Sequence, residues 1–495
     1  MALKKRLGRS TVWMSAAASG NSVVSFLIFI VLSRILAPQE IGLVAFALIV
    51  VEAGKIVVTA GFPHAIVQHR DWDETYASTC FYLNIGFALA VTLLVFFLGV
   101  PLVARYYQAD AGPILKVLSL IFFMEGVKAV HEGKLKREFS FRVLALRTVA
   151  GGVLSGSVGI YLALEGFGVW ALVWQQLINH SVIAFFTLSS ARWRPQRVFS
   201  RADCTQLLRF SAPLMVAQLV GNISSKIFEL LIGVLIGPAA LGFFRVGGRA
   251  LFVLQEIVLK PFEQTVLSAL SRIPERSLQA DGTLRVIRMS AYLTFPVFFG
   301  AAAIGPEFII FAFGQKWALS GNIMTVLALG IAPLVVGYPI NAALTATGNS
   351  RLVMTLASIS FALNCAIGAT AVSFGLMAAA YGFAVRSYLT IFFNLYFFRQ
   401  VFGVRILSVL KPLGPSFLAS LIMFASINAI KMTPVGEWNT AARLVISAAA
   451  GVVIHVVLMT VIFRSETRNF FAESVDLVPD RLKPIVLAIQ RPIRM

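Results

Sequence analysis

The stretch from Ala217 to Glu263, AQLVGNISSKIFELLIGVLIGPAALGFFRVGGRALFVLQEIVLKPFE, decides how the rest of the chain folds. It consists of two apolar segments that meet at Ile236-Gly237-Pro238. At 100° per residue, the charged residues of the second segment fall within an arc of about 60° on one helix face. They are Arg245, Arg249, Glu256, Lys260 and Glu263. A face that carries this much charge cannot point at lipid.

The first segment also carries a polar face, which covers an arc of about 100° by the same arithmetic. Its members are Gln218, Asn222, Ser225, Lys226 and Glu229. An ionisable side chain at membrane depth costs at least about 2.5 kcal/mol, so such residues usually face a bundle interior or a water-filled cavity. The two polar faces therefore predict a polar cavity inside a bundle of membrane helices.

The composition indicates a polytopic membrane protein. Of the 495 residues, 58% are hydrophobic and 13% are charged, whereas about 25% of residues are charged in soluble proteins. The formal net charge of +20 arises from basic clusters between apolar segments, as the positive-inside rule requires, which argues against nucleic acid as a partner. Three isolated cysteines and five scattered histidines lack ligand spacing, so we predict no metal site and no cofactor.

The apolar segments predict an all-α fold with about 14 transmembrane helices, since each span needs about 20 apolar residues. The predicted ranges are 11–36, 41–62, 77–103, 113–133, 143–164, 168–190, 206–235, 241–270, 286–313, 319–346, 351–373, 376–398, 413–431 and 441–463. If the N-terminus is cytoplasmic, the inside segments hold 28 Lys and Arg residues and the outside segments hold 5. Because basic residues translocate poorly, both termini are predicted to be cytoplasmic.

A weak internal repeat predicts two parallel six-helix lobes. Ile35 to Gly42, ILAPQEIG, reads against Leu235 to Gly242, LIGPAALG, and Gly166 to Ala171 reads against Ser373 to Ala378. Because each lobe has an even number of helices, both enter the membrane in the same direction. The predicted domains are an N-terminal lobe, a C-terminal lobe, helices 13 and 14, and a cytoplasmic tail. Their ranges are 1–205, 206–411, 412–463 and 464–495.

Several turn and packing motifs resemble those of bacterial oligosaccharide flippases and lipopolysaccharide biosynthesis proteins of the polysaccharide transport family. That family lies within the multidrug, oligosaccharidyl-lipid and polysaccharide exporter superfamily. The motifs lie mainly in the first half of the chain. They are LSRILAP at 32–38, IGLVA at 41–45, GFPHAIVQ at 61–68, REFSF at 137–141, GFGVWALV at 166–173, and ALGFF at 240–244 with Arg249.

The resemblance implies a flippase that translocates undecaprenyl-diphosphate-linked oligosaccharide repeat units across the bacterial inner membrane by alternating access. The product pathway would be exopolysaccharide, capsule or lipopolysaccharide synthesis. The implied partners are the lipid-linked oligosaccharide, membrane lipid, a polysaccharide polymerase and a chain-length regulator. The motifs identify a family and leave the glycan open.

The charged residues of the predicted spans are the candidate site residues. Arg249 is the first choice for the diphosphate, because a guanidinium binds phosphate oxygens bidentately and stays charged. The other cations predicted to line the cavity are Arg245, Lys226, Lys55, Lys128 and Arg386. Four acids are candidates for H⁺ or Na⁺ coupling or for charge pairing: Glu52, Glu125, Glu229 and Glu256.

The pairing of these residues is left open by the sequence. Glu52 with Lys55, Glu125 with Lys128, and Lys226 with Glu229 are each spaced i, i+3 and so share a helix face. Each pair is either a self-neutralising structural pair or part of the cavity. Arg249 either contacts the substrate or pairs with Glu52 or Glu229.

Two other functions remain open, both with many membrane spans. A multidrug antiporter of the same superfamily would need acidic groups to dominate its cavity, but here Lys and Arg are at least as numerous. A membrane glycosyltransferase or polymerase usually presents catalytic acids on a long external loop, whereas the external loops here are about 10 residues at most. The chain has no GxxxxGK[ST] phosphate loop, which argues against ATP hydrolysis. We therefore expect a transporter rather than an enzyme.

The basic asymmetry predicts the topology. Accessibility reporters at Ala111, Gly237 and Gly436 are expected on the outside, because the segments around them carry few Lys and Arg residues. Reporters at 136, 200 and 280 are expected on the cytoplasmic side. Substituted-cysteine labelling with a membrane-impermeant reagent measures this, and one reporter on the wrong side contradicts the two-lobe arrangement.

Overall fold

The computed structural model describes residues 20–69, 72–260, 266–267 and 269–475, without the side chains of 469, 471 and 473–475. Within these residues the regular secondary structure is helical and contains no strand. Parts of the predictions lie outside the described residues. These are the beginning of the first span at 11–19, residues 261–265 and 268 of the eighth span, and the basic terminal segments before residue 20 and after residue 475.

The described helices follow the predicted spans closely. They are α1 Gly20–Ile35, α2 Pro38–Thr59, α3 Phe62–Gln68, α4 Glu74–Leu94, α5 Val100–Tyr106, α6 Ala111–Leu118, α7 Leu120–Arg137, α8 Phe141–Leu164, α9 Val169–Ala191, α10 Arg201–Leu235, α11 Pro238–Val258, α12 Arg276–Phe313, α13 Ala318–Ile331, α14 Leu334–Ala346, α15 Ser350–Ser373, α16 Leu376–Phe402, α17 Ile406–Leu410, α18 Gly414–Lys431, α19 Thr440–Val457 and α20 Arg464–Val475. A π-helical turn, Val95–Gly99, joins α4 to α5.

Eleven helical stretches of the described chain are long and apolar enough to cross a membrane. The all-α polytopic fold class is confirmed, and the count of 14 stays a prediction. Three predicted spans are not among the eleven. The described part of α1 is short, while α6–α7 and α11 carry several charged side chains each.

Several helices begin at side-chain caps that the sequence supplies. The Asp73 carboxylate accepts hydrogen bonds from the backbone N–H groups of the first turn of α4, at 2.8 and 3.4 Å. The Ser200 hydroxyl accepts one from the N–H of Asp203 at 3.2 Å, and Asn439 Oδ1 accepts one from Ala442 at 2.8 Å. Such caps satisfy N–H groups that have no partner within the helix. They fix where α4, α10 and α19 start.

The contacts of the chain divide it into two compact units. Unit 1 comprises residues 1–245 and 368–376, and unit 2 comprises 246–367 and 377–495. Within unit 1, α2 packs against α4, α6, α7, α9 and α10, and α8 packs along α9. Within unit 2, α12 packs against α13, α14, α18 and α19. The predicted lobe boundary between residues 205 and 206 stays a prediction.

The two halves of the predicted repeat meet inside unit 1. A Cβ atom at Gly42, in the first turns of α2, would collide with the backbone carbonyl of Pro238 at the start of α11. A Cβ atom at Gly242 would collide in the same way with the backbone carbonyl of Pro38. Gly42 and Gly242 are equivalent positions of the repeat, as are Pro38 and Pro238. We call this reciprocal approach the Gly–Pro crossing.

Substitution of either glycine of the Gly–Pro crossing is expected to destabilise the protein. Gly42→Ala and Gly242→Ala each place a methyl group against backbone atoms, which cannot move aside as the end of a flexible side chain can. Overpacking of this kind costs about 1–3 kcal/mol. Gly86→Ala in α4 is the control, because nothing lies within 4 Å of a Cβ atom there. Thermal unfolding in detergent, followed by tryptophan fluorescence, should show lower apparent melting temperatures for the first two variants alone. Equal melting temperatures for all three variants would contradict the close approach.

Candidate functional site

Glu229 joins two of the predicted cations of unit 1. Its Oε1 lies 3.1 Å from Lys226 Nζ, and its Oε2 lies 3.2 Å from Arg245 Nη1. Lys226 and Glu229 lie one turn apart on α10, whereas Arg245 comes from α11. The three side chains are 19–24% exposed. These residues form the Glu229 cluster.

The Glu229 cluster carries one positive charge more than its single carboxylate neutralises. One oxygen of the Glu229 carboxylate accepts a charged hydrogen bond from Lys226, and the other accepts one from Arg245. Each cation therefore helps to position the carboxylate for the other. The cluster therefore links α10 to α11 at the turn that joins them. Arg245 is placed as a partner of Glu229.

A second cluster lies deeper in unit 1. Glu125 Oε1 is 2.8 Å from Lys128 Nζ and also 2.8 Å from His180 Nδ1, and the three side chains are 7–12% exposed. The residues come from α7 and α9. Lys55 on α2 interacts electrostatically with both Glu125 and His180. We call these four residues the Glu125 cluster, and it connects three helices through one buried carboxylate.

The third predicted i, i+3 pair does not form in the same way. Among the described residues, no carboxylate–ammonium contact within ion-pair distance joins Glu52 to Lys55 or to any other cation. Lys55 instead lies near enough to Glu125 to interact with it electrostatically. Glu52 is half-buried on α2. It is therefore the predicted acid that the described residues leave without an ion pair.

The remaining predicted residues belong to unit 2. Arg386 on α16 donates from Nη2 to Ser387 Oγ at 2.8 Å, and its guanidinium lies 4.9 Å from the centroid of the Phe383 ring. Within the described chain, no Asp or Glu lies at ion-pair distance from Arg386. The half-buried Arg386 guanidinium therefore has no described acid beside it to balance its positive charge.

Arg249 and Glu256 both lie on α11 within unit 2. The Arg249 guanidinium lies 5.6 Å from the centroid of the Phe252 ring, a cation–π distance. Glu256 forms an ion pair with Lys260, one turn further along the chain. The acid of this helix segment is thus neutralised locally.

Sequence reasoning missed several residues of the buried networks, among them His180 and Arg147. His180 was treated as one of five scattered histidines, yet its ring completes the Glu125 cluster. Arg147 on α8 binds Glu132 at 2.9 Å and donates to Thr187 Oγ1, while Glu132 also binds Lys136 at 2.8 Å. The signal was present in both cases, because each is a lone titratable residue within an apolar segment. Among the described residues, no group of three His, Cys, Asp or Glu side chains could hold a metal ion.

Loss of the Glu125 carboxylate is expected to destabilise unit 1. Glu125→Gln leaves the buried Lys128 ammonium without its acid, and breaking a buried pair from one side costs about 3–5 kcal/mol. Membrane abundance should therefore fall, and Glu125→Gln combined with Lys128→Met should restore much of it. Glu165→Gln is the control, because Glu165 is exposed and makes no ion pair with described residues. Quantitative immunoblotting of membranes measures this, and a single variant as abundant as the control would contradict the structural role.

Comparisons with known proteins agree with the predicted family. The model of the family described as "Polysaccharide biosynthesis protein" matches residues 31–322, more than half of the chain. The chain is 25% identical over 328 residues to the succinoglycan biosynthesis transport protein ExoT of Rhizobium meliloti (strain 1021). This match covers 66% of each protein, which is just under two thirds of the relative's length.

A second relative covers nearly the whole chain. The teichuronic acid biosynthesis protein TuaB of Bacillus subtilis (strain 168) is 23% identical over 467 residues, which is 92% of this chain and 96% of that protein. Among solved structures, the lipid II flippase MurJ in an inward closed conformation superimposes with a TM-score of 0.76. It is 13% identical in sequence and covers 92% of this chain and 99% of its own, so the likeness concerns the fold.

Proposed function

We propose, on the premise that this chain belongs to the polysaccharide biosynthesis protein family, that it is a flippase for lipid-linked oligosaccharide. Its substrate would be an undecaprenyl-diphosphate-linked repeat unit that crosses the bacterial inner membrane for exopolysaccharide, capsule or lipopolysaccharide synthesis. The proposal is supported by the names of the relatives, by the MurJ-like fold and by the cations of the predicted spans.

The observation that carries the proposal is Arg386, a half-buried cation that no described carboxylate neutralises. A diphosphate cannot enter hydrocarbon unaided, because an uncompensated anion there costs tens of kcal/mol by Born estimates. A guanidinium in a wet cavity lowers that barrier by binding phosphate oxygens through two parallel hydrogen bonds. Arg386 and Arg249 are therefore the proposed contacts to the diphosphate, one on α16 and the other on α11.

The other predicted cations receive a supporting role in this proposal. Lys226 and Arg245 are held by Glu229, and Lys128 is held by Glu125. Each cluster still adds positive charge to its surroundings, because the Glu229 cluster has two cations for one acid and the Glu125 cluster has Lys55 beside its pair. They would attract the anion electrostatically and leave the direct contact to the arginines.

Transport is proposed to follow alternating access, in which two lobes expose a central site to each side of the membrane in turn. The sequence contains no phosphate loop that would point to ATP, so the energy would come from an ion gradient or from consumption of the substrate outside. Glu125, Glu229 and Glu256 each form an ion pair with a neighbouring cation. Glu52 is the acid left to bind H⁺ or Na⁺ if an ion is coupled.

The rival functions fit the charges of the site less well. A multidrug antiporter for cationic drugs needs unneutralised acids, but three of the four candidate acids are already paired with Lys or Arg. An enzyme of the same pathway usually presents catalytic acids on a long external loop, whereas the predicted external loops of this chain are about 10 residues at most. A polysaccharide polymerase and a chain-length regulator are the expected partners of a flippase.

Arg386→Gln and Arg249→Gln are each expected to lower the rate of flipping at limiting substrate about ten- to a hundred-fold, because loss of a charge-assisted bidentate contact costs about 1.5–3 kcal/mol. Arg386→Lys should recover only part of the activity, since an ammonium lacks the planar fork. The assay measures protection of a labelled undecaprenyl-diphosphate-linked oligosaccharide in proteoliposomes from an external glycosidase.

Arg351→Gln is the matched control for these variants, because Arg351 is exposed at the start of α15. All variants should retain normal membrane abundance and normal melting temperature. Flipping by Arg386→Gln at the wild-type rate would overturn the proposed contact. A wild-type protein that moves cationic drugs instead of the lipid-linked oligosaccharide would overturn the function itself.

A further inference from the structure

A large cavity in unit 1 is lined by polar, aromatic and apolar residues, none of which belongs to the Glu229 cluster or the Glu125 cluster. Its volume is about 790 Å³, within the range of roughly 300–1,000 Å³ that small-molecule sites occupy. Residues from α3, α4 and α10 line it. The polar and aromatic members are Gln68, His69, Tyr76, Thr205, Gln206 and Arg209. None of them is among the charged residues assigned above to the transport path.

The sequence explains why α3 and α10 enclose this space. Gly61 has a φ of +74°, which lets the chain turn sharply into α3, and a Cβ atom there would touch the Leu214 side chain of α10 at 3.4 Å. From this contact α3 runs toward Gln68 while α10 runs back toward Arg209, and the cavity opens between them. The Arg137 guanidinium donates to the carbonyl groups of Ile66 and His69 and so fixes the end of α3.

The lining of the cavity combines hydrogen-bonding groups with an aromatic wall. Residues 202, 205, 206 and 209 recur on one face of α10, so its polar side chains point into the cavity together. Among the described residues, the Gln206 amide and the Arg209 guanidinium have no hydrogen-bond or ion-pair partner. The centroids of the His69 and Tyr76 rings lie 4.2 Å apart, and the ring planes are tilted by 30°.

We propose that this cavity binds the phosphate-linked saccharide headgroup of the substrate before it enters the transport path. An arginine binds phosphate oxygens, amide and hydroxyl groups bind sugar hydroxyls, and an aromatic face packs against a sugar ring. The inference rests on the proposed flippase function, and it adds a loading site to it.

The predicted topology agrees with a loading site. The segment that holds Arg70 and the segment from Arg192 to Arg209 are both predicted to be cytoplasmic from their basic residues. Lipid-linked repeat units would reach the protein from that side. A pocket at the cytoplasmic ends of α3 and α10 would capture the headgroup while the lipid remains in the membrane. The same phosphate chemistry also occurs in anionic phospholipids, so the test must separate the two sources.

The test uses the full-length protein in nanodiscs, with a photoreactive benzoylphenylalanine at Gln206. The probe is an undecaprenyl-diphosphate-linked hexose, and competitors are undecaprenyl diphosphate without sugar and cardiolipin vesicles. Crosslinking should be competed by excess unlabelled sugar-linked probe and poorly by cardiolipin. Benzoylphenylalanine at Arg201 is the control position, because Arg201 is exposed on the same helix and does not line the cavity.

Arg209→Gln should raise the probe concentration for half-maximal flipping about ten-fold, the effect expected for one charge-assisted contact, and leave the rate at saturation unchanged. Arg201→Gln should change neither value. Equal competition by cardiolipin would show a phospholipid site and overturn the inference, as would an unchanged half-maximal concentration for Arg209→Gln. In both cases flipping by the wild-type protein would leave the proposed function standing. A wild-type protein that neither crosslinks nor flips the probe would overturn both.

Discussion

The cost of placing charge in hydrocarbon governs this structure. Eleven described helical stretches are long and apolar enough to cross a membrane, while α6–α7 and α11 carry charged residues that lipid does not accept. Those charges are consequently organised into networks, of which the Glu125 and Glu229 clusters are the clearest. A buried carboxylate that binds two donors ties helices together, because losing either donor exposes the charge to an apolar surrounding. The same constraint makes Arg386 informative, since a cation without a described acid needs another source of negative charge.

Much of the fold follows from the sequence. Apolar length predicted the positions of most helices, because the membrane imposes both a minimum length and an all-helical backbone. The start of α12 was predicted at 286, ten residues after its observed start at Arg276. The Lys226–Glu229 and Glu125–Lys128 pairs were also predictable, since i, i+3 spacing on a helix leaves little freedom. Contacts between helices were not predictable. Nothing local in α9 shows that His180 faces Glu125, and nothing in α10 shows that Arg245 of α11 reaches Glu229.

Glu52 and Lys55 show the limit of spacing arguments. They have the same i, i+3 separation as the two pairs that form, yet Lys55 interacts with the Glu125 cluster. Which acid lies near Lys55 depends on how the helices pack, and Glu125 belongs to another helix. The cavity between α3 and α10 was missed for a related reason. Its lining residues are ordinary polar residues near loops. They form a site only because the turn at Gly61 and the hydrogen bonds of Arg137 fix the position of α3 beside α10.

The Gly–Pro crossing also has a consequence for how the two halves of the repeat can change over time. Each glycine is held by the backbone of the other copy and not by a side chain, so no substitution in the partner turn can make room for a larger residue. Where two side chains are in contact, a larger residue on one side can be compensated by a smaller one on the other. A backbone carbonyl cannot be made smaller by substitution. The sequences of the two copies are therefore free to diverge elsewhere along α2 and α11. At this position, each copy restricts which residues the other can acquire during evolution.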